Sequence, residues 1–330
     1  FILLADRLPL VHQAVLDACD ASDGVADGVL DDPRRCDFDP ATLVCDGGDA
    51  AATCLSTEEA DVVRKLHDGA VTEDGRARLE PEIAHEWGSE LEWSLFVPAT
   101  ADGHSQSENF ALSYLRYLAW PEAQDPGFEL SDLQFTRAGF WDTVQSSSYM
   151  SALDPDLDDF RRDGGKLLLW HGWNDQHISP QSTLAYWDAV NDTLGERRVD
   201  AFARLFMLPG VAHCGGGDGP SSTDVLTPVM AWVESGAAPA QLDAASYGDD
   251  GTTVRTRPVF PYPQVARYDG TGSTDDAANF VAVTPRREPG PGYRWLGQRL
   301  YSSGYQTWAR ADGDTLSLWP HRTWLTAKDA

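Results

Sequence analysis

Two short loops hold the side chains best suited to moving a proton. One carries His171, Asn174, Asp175 and His177, and the other carries His213 and Cys214. A carboxylate that fixes an imidazole's tautomer and steadies its charged form lets that imidazole take a proton from an alcohol and return it to a leaving group. Asp175 precedes His213, the order of acid and base in the second half of a nucleophile, acid, histidine triad. On pattern alone, a solvated or helix-capping Asp and a structural His are the competing reading. A metal hydrolase built on His171, Asp175, His177 and His213 is a further rival, but no H-E-x-x-H or equivalent helix-borne pair accompanies it.

A second group offers only oxygen. Between Cys19 and Cys36 runs CDASDGVADGVLDDPRRC, with Asp20, Asp23 and Asp27 spaced over eight residues and Gly24 and Gly28 permitting tight turns. Three carboxylates with backbone carbonyls, those of Val25 and Val29, are the donors calcium takes. The spacing departs from the EF-hand, and a solvated acidic loop is an equal reading of the same residues.

Cys19, Cys36, Cys45 and Cys54 crowd into 36 residues, while Cys214 stands 160 positions further on. Their gaps of 17, 9 and 9 do not give the paired short spacing of zinc sites, so two short-loop disulfides in an oxidising compartment are expected. If Cys19 pairs with Cys36 and Cys45 with Cys54, Cys214 is left over.

The elements that must deliver the two proton-handling loops are legible. The apolar run from Lys166 to Trp170, closed by Gly172, reads as a buried parallel strand, and PQSTLAYWDAV after it as a helix. ARLFMLPG repeats the strand and TDVLTPVMAWVESG the helix, which implies an α/β fold with a parallel sheet covered on both faces. Chemistry in such sheets gathers where strands end, and both loops begin there. Further upstream, residues 8 to 18 read as a helix, and 56 to 68 as another with a capping box from Ser56 to Glu59. Residues 81 to 150 are aromatic and irregular.

The chain has 330 residues, enough for one large domain or two unequal ones. Its formal charge of -27, from 52 acidic against 25 basic residues, argues against nucleic acid or an anionic membrane surface as partner. No stretch approaches the roughly eighteen apolar residues a membrane span needs. The sequence opens at Phe1 with no charged leader, and reads as starting part-way through a longer product.

The segments DLDDFRRDGGKLLLWHGWNDQHISPQSTLAYWDAV, LPGVAHCGGGDGP and AWVESGAAPAQLDA closely resemble the tannase and feruloyl esterase family of secreted serine esterases. So do DACDASDGVADGVLDDPRRCDFDPATLVC and RPVFPYPQVARYDGTGSTDDAANFV, and the resemblance runs over about residues 1 to 283. It implies an α/β-hydrolase core, incomplete at its N-terminus, with an inserted calcium-binding lid. Residues 1–12 would be a remnant of the core, 13–155 the lid with its calcium loop and two disulfides, and 156–285 the C-terminal part of the core. Asp175 matches the triad acid, His213 the base, and Cys214 a cysteine bridged to one directly before the catalytic serine. Asp20, Asp23 and Asp27 match side-chain calcium ligands, and Val25 and Val29 carbonyl ligands. The implied function is a secreted or periplasmic carboxylic ester hydrolase that cleaves feruloyl or galloyl esters, small phenolic substrates, through an acyl-enzyme. A calcium-stabilised, non-catalytic relative that binds aromatic ligands is the alternative.

The family's G-x-S-x-G elbow is not found in this sequence. Gly103-His104-Ser105-Gln106-Ser107 comes nearest, but it lacks the second glycine and has no apolar strand before it. The chain is therefore expected to need an N-terminal segment bearing the nucleophile and to be inactive by itself. Phe260 and Ala282 stand where the family commonly has two more cysteines. Residues 286–330, with Trp295, Trp308, Trp319 and Trp324, fall outside the resemblance, as a β appendage, an aromatic platform or an extension of unknown role.

Overall fold

Pro9 in the first turn and apolar positions Leu8, Val11, Val15 and Cys19 at helical spacing produce α1 (Leu8–Cys19). The computed structural model describes residues 1–48, 51–69, 71, 84–120, 122–133, 136, 139, 143, 152–286, 308–312 and 315–319. Helix α2 (Thr57–Asp68) starts as the sequence predicts: the Ser56 hydroxyl accepts from the Glu59 N–H at 3.0 Å, and the Glu59 carboxylate accepts from the Ser56 N–H at 2.8 Å. Helix α3 (Gln106–Tyr117) is capped by Ser105. The disulfides Cys19–Cys36 and Cys45–Cys54 are both formed.

These elements share one core. Leu3, Leu8, Val11, Val15, Leu30, Leu55, Val63, Trp87, Trp93 and Val97 pack together, so the expected boundary at residues 12 and 13 falls inside α1. Within it Glu90 is fully buried, and its carboxylate accepts from the Gly88 N–H at 2.9 Å and pairs with His12 Nδ1 at 2.9 Å. That pairing offsets the cost of burying a charge.

The second half alternates strands and helices. Helix α4 (Asp158–Arg162) leads into β1 (Leu167–Gly172), then α5 (Pro180–Leu194), α6 (Glu196–Val199) and β2 (Ala203–Leu208). Strands β1 and β2 pair in parallel, with Leu167 opposite Ala203 and Gly172 opposite Leu208. Alternation along β2 splits its side chains between two faces. Ala203, Leu205 and Met207 pack with Leu184, Trp187, Val190 and Val199, while Phe206 and Leu208 join Leu242, Ala244 and Val259. The short β3 (Ser222–Thr223), helix α7 (Leu226–Ser235), β4 (Leu242–Tyr247) and β5 (Thr253–Val259) follow, with β3, β4 and β5 forming an antiparallel sheet. Strands β6 (Val265–Tyr268) and β7 (Phe280–Val283) make an antiparallel pair, as do β8 (Trp308–Asp312) and β9 (Thr315–Trp319). The last pair accounts for part of the Trp-rich tail, whose Trp295 and Trp324 lie outside the described residues.

One expectation needs correcting. β2 is buried as predicted, but β1 is half-buried, with Trp170 40% exposed. Among the described residues β1 has β2 as its sole strand neighbour. The exposed residues Leu226, Met230 and Val233 add an apolar stripe along α7 at helical spacing.

Candidate active site

Strands β1 and β2 end level with one another, so the chains leaving them run side by side. The Trp173 N–H donates to the Leu208 carbonyl at 2.9 Å, and the Asn174 N–H to the Val211 carbonyl at 2.9 Å. A Cβ on Gly172 would lie 2.1 Å from the Val211 carbonyl oxygen, so only glycine allows this crossing. The Asn174 amide donates to the Gly88 carbonyl at 2.6 Å. The Arg34 guanidinium stacks over the Trp173 ring at 4.8 Å while held by Asp32 through bonds of 2.8 and 2.9 Å.

The crossing brings Asp175 to His213. Asp175 Oδ2 lies 3.0 Å from His213 Nδ1, and the His213 backbone N–H donates to the Gln176 side-chain oxygen at 3.1 Å. Asp175 Oδ1 accepts from the N–H groups of His177 and Ile178 at 2.9 and 2.8 Å. Its Oδ2 has a second imidazole partner, His171 Nε2, at 3.2 Å. Burial pushes the Asp175 carboxyl up, but hydrogen bonds from His171, the Ile178 N–H, His213 and the His177 N–H outweigh it and hold the group well below the usual carboxylate range. An ionised carboxylate only accepts, so His213 Nδ1 carries the proton and, in the neutral ring, Nε2 is left to accept one. The His213 side chain is 39% exposed against 8% for Asp175, which puts the base within reach of a reactant and the acid out of reach.

Other imidazoles surround the pair. His177 stands edge-to-face with His213, 5.4 Å between ring centres, and its Nε2 lies 3.0 Å from the Ser107 hydroxyl on α3. Burial and the neighbouring His213 lower its pKa. His85 stacks on Phe96 at 4.5 Å and hydrogen-bonds the Gln176 backbone. Burial first, then the charges of His177 and His67, bring its pKa down to about 4. Ser105, in the near-miss motif, spends its hydroxyl accepting from the Glu108 N–H at 3.1 Å. Among the described residues no serine hydroxyl is bonded to His213.

Cys214 follows the base directly, exposed and unpaired among the described residues. Its φ of 62° makes it the one non-glycine in the left-handed region among them, a conformation costing a side-chain-bearing residue about 1–2 kcal/mol.

In the acidic loop, Asp20 accepts from the Asp27 and Gly28 N–H groups, and Asp23 from those of Val25 and Asp31. Asp27 is paired with Arg257 and lies 4.0 Å from Arg255. Burial, against two backbone hydrogen bonds, raises Asp23 to about 6, with the charges of Asp27 and Asp20 adding to the rise. Burial and then Asp23 push Asp31 up as well. Asp31 is thus a fourth carboxylate in the group, missed in the sequence although it continues the four-residue step from Asp23 and Asp27. Among the described residues no three His, Cys, Asp or Glu side chains stand in metal-holding geometry, in this loop or beside Asp175. The donor chemistry of the loop, oxygen alone and strongly anionic, suits a hard divalent cation.

A family model described as tannase and feruloyl esterase matches residues 1–283. A mono(2-hydroxyethyl) terephthalate hydrolase from Piscinibacter sakaiensis is 33% identical over 314 residues, which cover 84% of this chain and 52% of that protein. A probable feruloyl esterase B-2 from Aspergillus terreus is 29% identical over 290 residues, 81% of this chain and 52% of the relative. The crystal structure of feruloyl esterase B from Aspergillus oryzae superposes with a TM-score of 0.72 at 26% identity, over 86% of this chain and 58% of that one. The chain thus spans about half the length of the curated relatives it matches.

Proposed function

From the chain's membership of the tannase and feruloyl esterase family, we propose that it supplies the acid and base of a carboxylic ester hydrolase working through a serine acyl-enzyme. The single observation that carries this is Asp175 Oδ2 at 3.0 Å from His213 Nδ1, on an acid held ionised and a base left exposed. His213 Nε2 removes the proton of a serine hydroxyl as its oxygen attacks the ester carbonyl. The resulting imidazolium, steadied by Asp175, then gives that proton to the departing alcohol. Water repeats the cycle to release the acid.

The serine comes from a segment outside these 330 residues. The edge of β1 away from β2, with Trp170 and the apolar stripe of α7, is the surface it would cover, and Cys214 the thiol through which it would be bridged. A disulfide there holds nucleophile and base in register, which lowers the entropic cost of bringing them together. The substrate is an ester with an aromatic acyl group, feruloyl or galloyl. The names of the relatives support this, since terephthalate and ferulate are both aromatic acids. Residues Asp20, Asp23 and Asp27, with the carbonyls of Val25 and Val29, would hold a structural calcium ion in the lid. Oxygen-only donors in excess over Arg255 and Arg257 support that assignment. Two formed disulfides support export to an oxidising compartment.

The test is hydrolysis of methyl ferulate and methyl gallate by the product of the complete reading frame and by the 330-residue chain. Turnover by the first, none by the second, and loss of the first on His213→Ala are expected. Turnover by the chain alone that survives His213→Ala would overturn the proposal.

A further inference from the structure

Asp175 accepts four hydrogen bonds, two on each carboxylate oxygen, which is its full complement of lone pairs. The Oδ1 pair comes from backbone N–H groups two and three residues on, and so is fixed by the loop itself. The Oδ2 pair comes from two imidazoles: His213 at 3.0 Å and His171 at 3.2 Å. His171 Nε2 faces a second acceptor, the Ile178 carbonyl at 3.0 Å, so that nitrogen must carry its hydrogen. Its Nδ1 is tied to the Thr183 hydroxyl at 2.7 Å. Ring orientation is thereby set from three directions: strand β1 that bears it, helix α5 that bears Thr183, and the acid loop.

We propose that His171 is a positioning residue for His213, acting through the shared Oδ2 of Asp175. It fixes the carboxylate's rotation and takes part of the negative charge that His213 would otherwise have to itself. A carboxylate oxygen divided between two donors gives each a weaker bond than it gives one. The grip of Asp175 on the His213 imidazolium is set by how much His171 withdraws. The effect resists simple loss, because removing His171 leaves a lone pair on an oxygen that then serves His213 alone.

The groups acting on His213 define what the test must hold constant. Asp175 faces it from the acid loop, His177 stands beside it and is bonded to Ser107 on α3, and His85 acts on His177 and Asp175 from the segment before Phe96. Cys214 adjoins it in the chain. Of these, Asp175 is the one bonded to His171, and His177, Ser107, His85 and Cys214 are left in place when His171 or Thr183 is substituted.

The inference rests on reading Asp175 and His213 as acid and base, and it is tested by a measurement that needs no turnover. The imidazole and Nδ1–H resonances of His213 are followed by NMR in the oxidised 330-residue chain while pH is varied. In His171→Phe the Nδ1–H resonance is expected to move downfield, and the imidazole resonances of His213 to move with it, as Oδ2 is left to His213 alone. His171→Gln, whose amide can donate to Oδ2, is expected to restore the native values in large part. Thr183→Val, which keeps the ring but frees Nδ1, should shift both signals in the same direction by less. A purely structural role predicts no ordered series. His213 signals that stay at native positions in His171→Phe, or in Thr183→Val where the first variant does not fold, would overturn the proposal. If the series holds but His213→Ala leaves esterase activity of the complete protein intact, the failure lies with the parent reading instead.

Discussion

The Gln176 side-chain oxygen accepts from the backbone N–H of His213 at 3.1 Å, so the acid loop grips the base loop through the residue next to the acid itself. With the Asp175 contact to the same histidine, backbone and side chain of the base are both held by consecutive residues. Two tethers one residue apart restrict His213 far more than the carboxylate contact alone. This explains how an imidazole with 39% of its side chain exposed keeps a defined orientation.

The glycine at the crossing is expected to tolerate no side chain. Gly172→Ala places a methyl 2.1 Å from the backbone oxygen of Val211, and backbone cannot step aside as a flexible side chain can. Overpacking of this kind costs about 1–3 kcal/mol. Thermal unfolding should show a lowered midpoint, with weakened low-field signal from the Asp175–His213 bond; an unchanged melt with that signal intact would contradict the crossing.

His85 and Asp175 lose their contributions to stability at different stages of acidification, while Asp23 and Asp31, raised by burial, act in the opposite sense. His85 has its pKa lowered to about 4, so the unfolded chain binds its proton more readily than the folded one. Its contribution is complete above the ordinary imidazole value of about 6.5 and is lost as pH falls from there toward 4. Asp175, also lowered, contributes above the ordinary carboxylate value of about 3.9 and loses that on further acidification. In His85→Phe the melting temperature should fall less steeply between pH 6.5 and 4. His177, shifted the same way, retains part of the slope. A slope identical to that of the parent chain would show that His85 is not buried in its neutral form.

Calcium should raise stability in a way that depends on one loop. Adding calcium to chelator-treated chain is expected to raise the melting temperature. A ligand present at a hundred times its dissociation constant contributes about 2.7 kcal/mol. Asp23→Asn should remove most of that gain and leave the Asp175–His213 pair untouched. Equal melting curves in excess calcium and in excess chelator would exclude the assignment.

Opening the first disulfide is expected to cost about 3 kcal/mol, the loop-entropy value for a closure of some 15 residues, since Cys19 and Cys36 are 17 apart. The double variant Cys19→Ser, Cys36→Ser, compared with the parent chain by urea titration, measures it. A loss below 1 kcal/mol would mean that packing of α1 and Pro33, rather than the link, holds the loop.

Much of this could be read from residue order. The apolar runs around Leu168 and Leu205 each gave a strand, because a strand buried by helices leaves an uninterrupted hydrophobic signature. Ser56 and Glu59 announced the start of α2, since a capping box is local chemistry. Asp175 and His213 stand out because their loops follow recognisable strands, and the two side chains meet at 3.0 Å. What escaped depends on distance. Nothing near Gln176 says that its amide reaches a residue 37 positions on, and nothing near Ser107 says that α3 brings it to His177. His85 gave no sign of its burial, because its surroundings are assembled from Phe96, His67 and the acid loop. The half-exposed face of β1 was hidden for the opposite reason: a run of leucines looks the same whether or not a neighbour covers it.

The passage of Gly172 beneath Val211 also bears on how such a protein diversifies. Because the two loops touch main chain to main chain, a graft that lengthens one at that point must displace the other, and with it the proton-transfer pair. The crossing therefore behaves as a hub whose members change together or not at all.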